Sequence, residues 1–188
     1  MPAHAFFVIG VLALAVFVTG CASPPAGAGK RPARPPAPVA AEINTDCGIA
    51  RLRDTVLKQV NAARATARSC GARRMNASRP LVWNRALTEA AELHSVDMAA
   101  RRYFDHVSPD GKRVSQRVSD QGYKWRMVGE NLAGGDTSVA DVIAGWLDSP
   151  EHCQNLMSPA YAEVGISCVR QSGSQWGNYW TMVLATSR

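Results

Sequence analysis

The apolar positions of this chain change period twice, and the changes divide it into elements. From Asp46 to Arg68, Ile49, Leu52, Val56 and Val60 recur at three- and four-residue spacing with Arg, Lys and Asp between them, which predicts an amphipathic helix. "SCGARRMNASRP" reads as loop, "PLVWN" as a short apolar entry, and Asn84 as an N-cap. A second helix is predicted over Arg85 to Arg102. Leu87, Ala91, His94 and Met98 form its stripe, extended by Ala90 and by Tyr103 or Phe104. The abundant alanines predict close packing against another layer.

Further on, Ser108-Pro109-Asp110-Gly111 is a turn, with Pro presetting φ at the second position and Gly accepting positive φ. A short helix is expected over Val114 to Gln121, ended by Gly122-Tyr123, and "VGENLAGGD" reads as a Gly-punctuated loop. Ser138 and Asp141 make a capping box for a helix whose Val139, Val142, Ile143, Trp146 and Leu147 share a face. Pro150 stops that helix, and Ser149-Pro150 can open another. The period then drops to two. "YAEVGISCVR" and "GNYWTMVLATS" predict antiparallel strands joined through "QSGSQWG". Helices first and strands last favour an α+β domain with helices packed on a sheet.

The N-terminus is patterned differently. "FFVIGVLALAVFVTG" is short for a membrane span and suits the apolar core of an export signal. It runs into Val18-Thr19-Gly20-Cys21, which resembles a bacterial lipobox with Cys21 as the lipidated residue; a plain secretory signal is the alternative. Ala22 after that cysteine would suit an outer-membrane destination in a Gram-negative host. "ASPPAGAGKRPARPPAPVAA" lacks apolar periodicity and reads as an extended Pro/Ala-rich tether. The expected organisation is a signal over residues 1–21, a tether over 22–45 and a folded domain over 46–188.

The chain has 188 residues and a formal charge of +6, all carried after Cys21. A basic exported protein meets anionic envelope polymers or lipid headgroups, whereas no nucleic-acid motif is present. Beyond Cys21, Cys47, Cys70, Cys153 and Cys168 imply two disulfides in an oxidising compartment, with three connectivities possible. The pairing expected is Cys47–Cys70, tying the ends of the first helix region, with Cys153–Cys168 stapling a loop to a strand. A four-cysteine metal site is the weaker reading because no C-x-x-C spacing occurs.

Six pieces, "LVWNRALTEAAELHSVDMA", "YFDHVSPDG", "GENLAGG", "VIAGWLDSPEHCQNLMSP", "EVGISC" and "YWTMVLA", occur in an order and spacing that resemble the CAP superfamily. This is the group of cysteine-rich secretory proteins, antigen 5 and pathogenesis-related 1, also called the SCP domain. The bacterial branch is the most similar. The resemblance covers about residues 50 to 186 and implies an α-β-α sandwich. It also implies a central cleft lined by two His and two acidic residues, and, from reports on family members, sterol or lipid binding.

His106 matches the first His of that cluster and Glu130 the first Glu. The second acidic position reads Ser149 and the second His position reads Tyr179, while Glu151 and His152 stand one short turn further on, able to fill the vacated space.

Two imidazoles with one or two carboxylates could hold a Zn²⁺ ion through His106 and His152. Without metal, a carboxylate beside His106 favours the imidazolium and a general acid–base role. His106 and Glu130 could equally pin the turn to the Gly-rich segment as scaffold. His94, on an apolar stripe, reads as a core histidine. Cys153 beside His152 reads as a disulfide partner rather than a nucleophile, and no H-E-x-x-H or G-x-S-x-G motif occurs. Three functions follow as expectations: a lipid-anchored envelope module binding a lipid, sterol-like or small envelope ligand; a structural or interaction protein; and a metal-assisted hydrolase.

Overall fold

A computed structural model describes residues 44–188 except Asp136. The export signal, Cys21 and nearly all of the tether lie outside the described residues. In chain order the elements are α1 (Leu52–Arg64), β1 (Arg68–Cys70), β2 (Arg73–Met75), β3 (Val82–Trp83), α2 (Arg85–Arg101), α3 (Val114–Asp120), β4 (Trp125–Gly134), α4 (Val139–Asp148), α5 (Pro150–Met157), β5 (Glu163–Arg170) and β6 (Asn178–Ser187). Four strands form one sheet in the order β3-β5-β6-β4, with β3 parallel to β5 and the other pairs antiparallel. β1 and β2 make a separate hairpin.

Alternation along the strands sorts the two faces of the sheet. On β6, Trp180, Met182 and Leu184 join Val164, Ile166 and Cys168 of β5 in a core completed by α1, α4 and α5 through Val56, Val60, Val142, Trp146 and Leu156. On the other face Val183 and Ala185 pack against Leu87, Ala90 and Ala91 of α2, and Tyr179 packs with Met98 and Ala99. The result is the α-β-α sandwich that the sequence implied. α2 lies so close to the sheet that a Cβ on Gly165 of β5 would sit 2.2 Å from the backbone nitrogen of Thr88. Alanine on the helix and glycine on the strand permit that approach.

Three expectations need correction. The first helix begins at Leu52, not Asp46, because Cys47 and Arg51 take left-handed backbone angles (φ 54° and 55°) that interrupt helical geometry. The "SCGARRMNASRP" segment opens with the β1–β2 hairpin. Of the "VGENLAGGD" segment, residues 128–134 belong to β4, a ten-residue strand, rather than to a loop. Its glycines serve close approach. A Cβ on Gly129 would meet the Tyr161 hydroxyl at 2.4 Å, and one on Gly134 would meet the Trp176 ring at 2.9 Å.

The two disulfides form, but not in the expected pairing: Cys47 joins Cys168 and Cys70 joins Cys153. The 13-residue α1 is about 20 Å long, and the chain beyond it enters the β1–β2 hairpin rather than folding back along the helix to Cys47. Instead, the segment before α1 runs beside β5. Cys47 donates its backbone N–H to the Cys168 carbonyl at 3.0 Å, and Cys168 donates to the Thr45 carbonyl at 2.9 Å. The hairpin folds back onto α5, with the Gly71 turn against Pro150, and this brings Cys70 to Cys153.

Candidate functional site

The Ser108–Gly111 turn forms as the residues dictate. The Gly111 N–H donates to the Ser108 carbonyl at 2.7 Å, Gly111 has φ 83°, and the Ser108 N–H closes the loop onto the Lys112 carbonyl at 3.0 Å. α3 follows at once and carries Arg117 back across the turn. Arg117 Nη1 donates to the Lys112 carbonyl at 2.8 Å and to Ser108 Oγ at 3.3 Å. Its Nη2 donates to the His106 carbonyl at 3.1 Å and to Glu130 Oε2 at 2.7 Å. One guanidinium thus binds the turn, the His106 backbone and the Glu130 carboxylate together.

Glu130 points from the edge strand β4 toward the α2 side, the face it shares with Leu132. Its side chain is only 2% exposed, whereas that of His106 above it is 53% exposed. His106 Nδ1 meets Glu130 Oε1 at 2.8 Å. The bond to Glu130 raises the imidazole pKa, against the opposing effect of desolvation. Nδ1 is therefore the donor to the carboxylate, and Nε2 has no partner among the described residues.

His94 completes the cluster from α2. It is 1% exposed, and its Nε2 lies 3.0 Å from the Asp105 carbonyl and 4.0 Å from Glu130 Oε1. Desolvation lowers its pKa and outweighs the attraction of Glu130. His94 is thus a neutral Nε2–H tautomer that holds the Asp105 carbonyl next to His106, and the 4.0 Å contact is not an ion pair. The apolar stripe correctly marked His94 as interior, but gave no sign of its adjacency to Glu130. Arg117 carried no sequence signal beyond its place one short helix after the turn.

The opposite face of β4 supports His152. Asn131, fully buried, donates Nδ2 to the His152 carbonyl at 3.0 Å and accepts from Asn155 Nδ2 at 3.1 Å. The His152 ring is half-buried. Its pKa is lowered first by desolvation and then by the charge of His106, so the two imidazoles repel when protonated. Glu151 is exposed and makes no hydrogen bond or ion pair among the described residues. Tyr179 is 1% exposed among Met98, Ala99, Leu132 and Val169. It pairs with Gly134, four positions from Glu130, or about 13 Å along the strand. The structure therefore unites His106 and Glu130, adds His94 and Arg117, keeps His152 beside them, and leaves Tyr179 in the core.

The donors do not suit a Zn²⁺ ion. Both Glu130 oxygens are occupied, one by an imidazole and the other by a permanent cation. Among the described residues no three His, Cys, Asp or Glu side chains are grouped to hold a metal. Cys153 is oxidised in the disulfide with Cys70 and offers no free thiol.

Residues 57–184 match the family model described as the cysteine-rich secretory protein family, CAP. The Bacillus subtilis protein YkwD is 32% identical over 98 residues, which is 52% of this chain and 38% of YkwD. An extracellular SCP-domain protein of Bacillus anthracis superposes with a TM-score of 0.59 at 21% identity, over 71% of this chain and 40% of that one. An outer surface protein of Borrelia burgdorferi gives 0.55 at 16% identity, over 71% and 94% respectively. This chain thus spans well under half the length of YkwD and of the Bacillus anthracis protein, and the two solved structures bear on fold.

Proposed function

Since the chain belongs to the cysteine-rich secretory protein (CAP) family, we propose that it is an exported, lipid-anchored binding module of the cell envelope. In this reading its His106–Glu130 cleft takes a lipid or another small envelope ligand. The observation that carries the reading is the pairing of an exposed imidazole with a buried ion pair. Arg117 and Glu130 fix His106 from beneath and leave Nε2 directed to incoming groups.

Arg117 and Glu130 form an ion pair, so protonating His106, whose pKa the bond to Glu130 raises, makes the cluster net cationic. A cationic N–H donor of this kind suits a ligand bearing an anionic or strongly accepting head. Two disulfides fit an oxidising compartment, and no helix among the described residues is long and apolar enough to cross a membrane. Attachment through Cys21 is part of the proposal, on the strength of the lipobox-like Val18-Thr19-Gly20-Cys21.

Native mass spectrometry of the exported chain, purified without chelator, tests the reading. A small-molecule adduct lost in His106→Ala, with melting temperature retained, is the expected result. A bare mass in the parent protein, together with a lowered melting temperature in His106→Ala, would favour a second reading. There the cluster is a polar staple, which the multiple bonds of Arg117 to the turn and to Glu130 also favour.

A further inference from the structure

Between Asp54 and Glu89 the chain has no acidic residue and seven basic ones: Lys58, Arg64, Arg68, Arg73, Arg74, Arg79 and Arg85. The fold uses some of these internally. Arg64 is fully buried and donates to the carbonyls of Arg79, Leu156, Ser158 and Tyr161, and Arg85 pairs with Glu89. Arg73, Arg74 and Arg79 are exposed. None forms an ion pair among the described residues. The side-chain bonding of these three amounts to one weak contact, Arg73 to Gln154 Oε1 at 3.4 Å.

Their placement is rigid. Cys70–Cys153 ties the hairpin to α5, and Ser78 Oγ donates to the Met157 carbonyl. The Arg79 carbonyl is held by the buried Arg64 guanidinium. A hollow of about 370 Å³, lined by Arg73, Arg74 and Pro159 among others, opens between the hairpin and the turn after α5. Ala77 and Pro159, both exposed, line the same hollow.

We infer that this face, with Arg73, Arg74 and Arg79 beside Ala77 and Pro159, docks the domain on an anionic phospholipid surface independently of any anchor at Cys21. Charge complementarity selects the partner. Two unneutralised guanidinium groups on a disulfide-pinned hairpin, and a third at Arg79 whose backbone is held by Arg64, lose little freedom when they meet phosphate headgroups. Ala77 and Pro159, exposed beside the arginines, favour a membrane over a soluble polyanion, because an interface accepts both kinds of group. The inference goes beyond the cleft reading and does not need the cleft to be occupied.

Residues 42–188 are suited to the test, since both disulfides and the three apolar clusters of the described residues lie within this part. The probe is co-sedimentation with phosphatidylcholine vesicles with and without about one-third phosphatidylglycerol. The expected result is binding only to the anionic vesicles. Loss of about five-fold in affinity per arginine should compound to about a hundred-fold in R73Q/R74Q/R79Q.

R102Q/K124Q/R126Q removes three equally exposed charges elsewhere and should retain most of the binding. Unchanged melting temperatures in both triple variants confirm that folding is intact. Equal losses in the two triple variants would overturn the inference, as would a parent protein that ignores anionic vesicles. Capture of soluble polyphosphate without vesicle binding would also overturn it.

Discussion

Arg117 and Glu130 form a buried ion pair at 2.7 Å, with side chains 6% and 2% exposed, and His106 rests on the other carboxylate oxygen. The pair joins α3 to the edge strand, and the same guanidinium, bonded to Ser108 and Lys112, fixes the turn that precedes α3. Its worth is set by what happens when one partner is removed. Arg117→Met leaves a buried carboxylate without its permanent countercharge and should destabilise the domain by about 3–5 kcal/mol. R117M/E130L should cost less than the sum of its single changes, because no lone charge remains. Urea denaturation of the four proteins checks both statements.

The histidines should titrate in opposite directions. His106 should hold its proton above its ordinary value of 6.5, first because of the bond to Glu130, and buried His94 should lose its proton below 6.5 through desolvation. The His106 contribution to stability is complete below the unfolded pKa and is lost as pH rises through the higher folded value. The His94 contribution is complete above the unfolded pKa and is lost as pH falls toward the lower folded value. Proton NMR titration of the ring resonances should separate the two. In denaturation from about pH 4 to about pH 9, His106→Gln should flatten the decline on the alkaline side.

Disulfide mapping by proteolysis without reductant should yield peptides linking Cys47 to Cys168 and Cys70 to Cys153. Replacing Cys70 and Cys153 together by Ser opens a link across 83 residues and should cost about 2–5 kcal/mol. Thermal unfolding of this variant beside the parent protein measures the loss.

Gly165→Ala should be among the most damaging single-methyl additions. The new Cβ would lie 2.2 to 2.7 Å from backbone atoms of Leu87 and Thr88, which cannot move as a side-chain tip can. Overpacking against backbone should cost about 3 kcal/mol or more. Gly145→Ala, where no atom lies within 4 Å, should be neutral or slightly stabilising, since helical alanine is favoured over glycine. Circular dichroism melts of the two variants give the comparison.

Much of the sandwich could be read from spacing. The N-caps at Asn84 and Ser138, the Pro109–Gly111 turn, the helix opened by Pro150 and the alternating strands all formed where local chemistry placed them. β4 was not legible, because its glycines read as turn residues. Their actual task is to admit Tyr161 and Trp176, and those rings come from distant parts of the chain. His106 and Glu130 stood out because the family's motifs frame both. Arg117 and His94 did not, since no spacing rule connects α3 and α2 to the Glu130 carboxylate.

The sequence alone determined periodicity, caps, turn geometry and family, because each depends on neighbours within a few residues or on motifs in fixed order. The tertiary structure decided the rest. It chose the cysteine partners by laying residues 45–47 along β5 and folding the hairpin onto α5. It also decided that Glu130 is neutralised by a guanidinium rather than left free for a metal, and that Tyr179 is core. Pairing, burial and countercharge are relations across the sheet, set by distances that only the packed layers define.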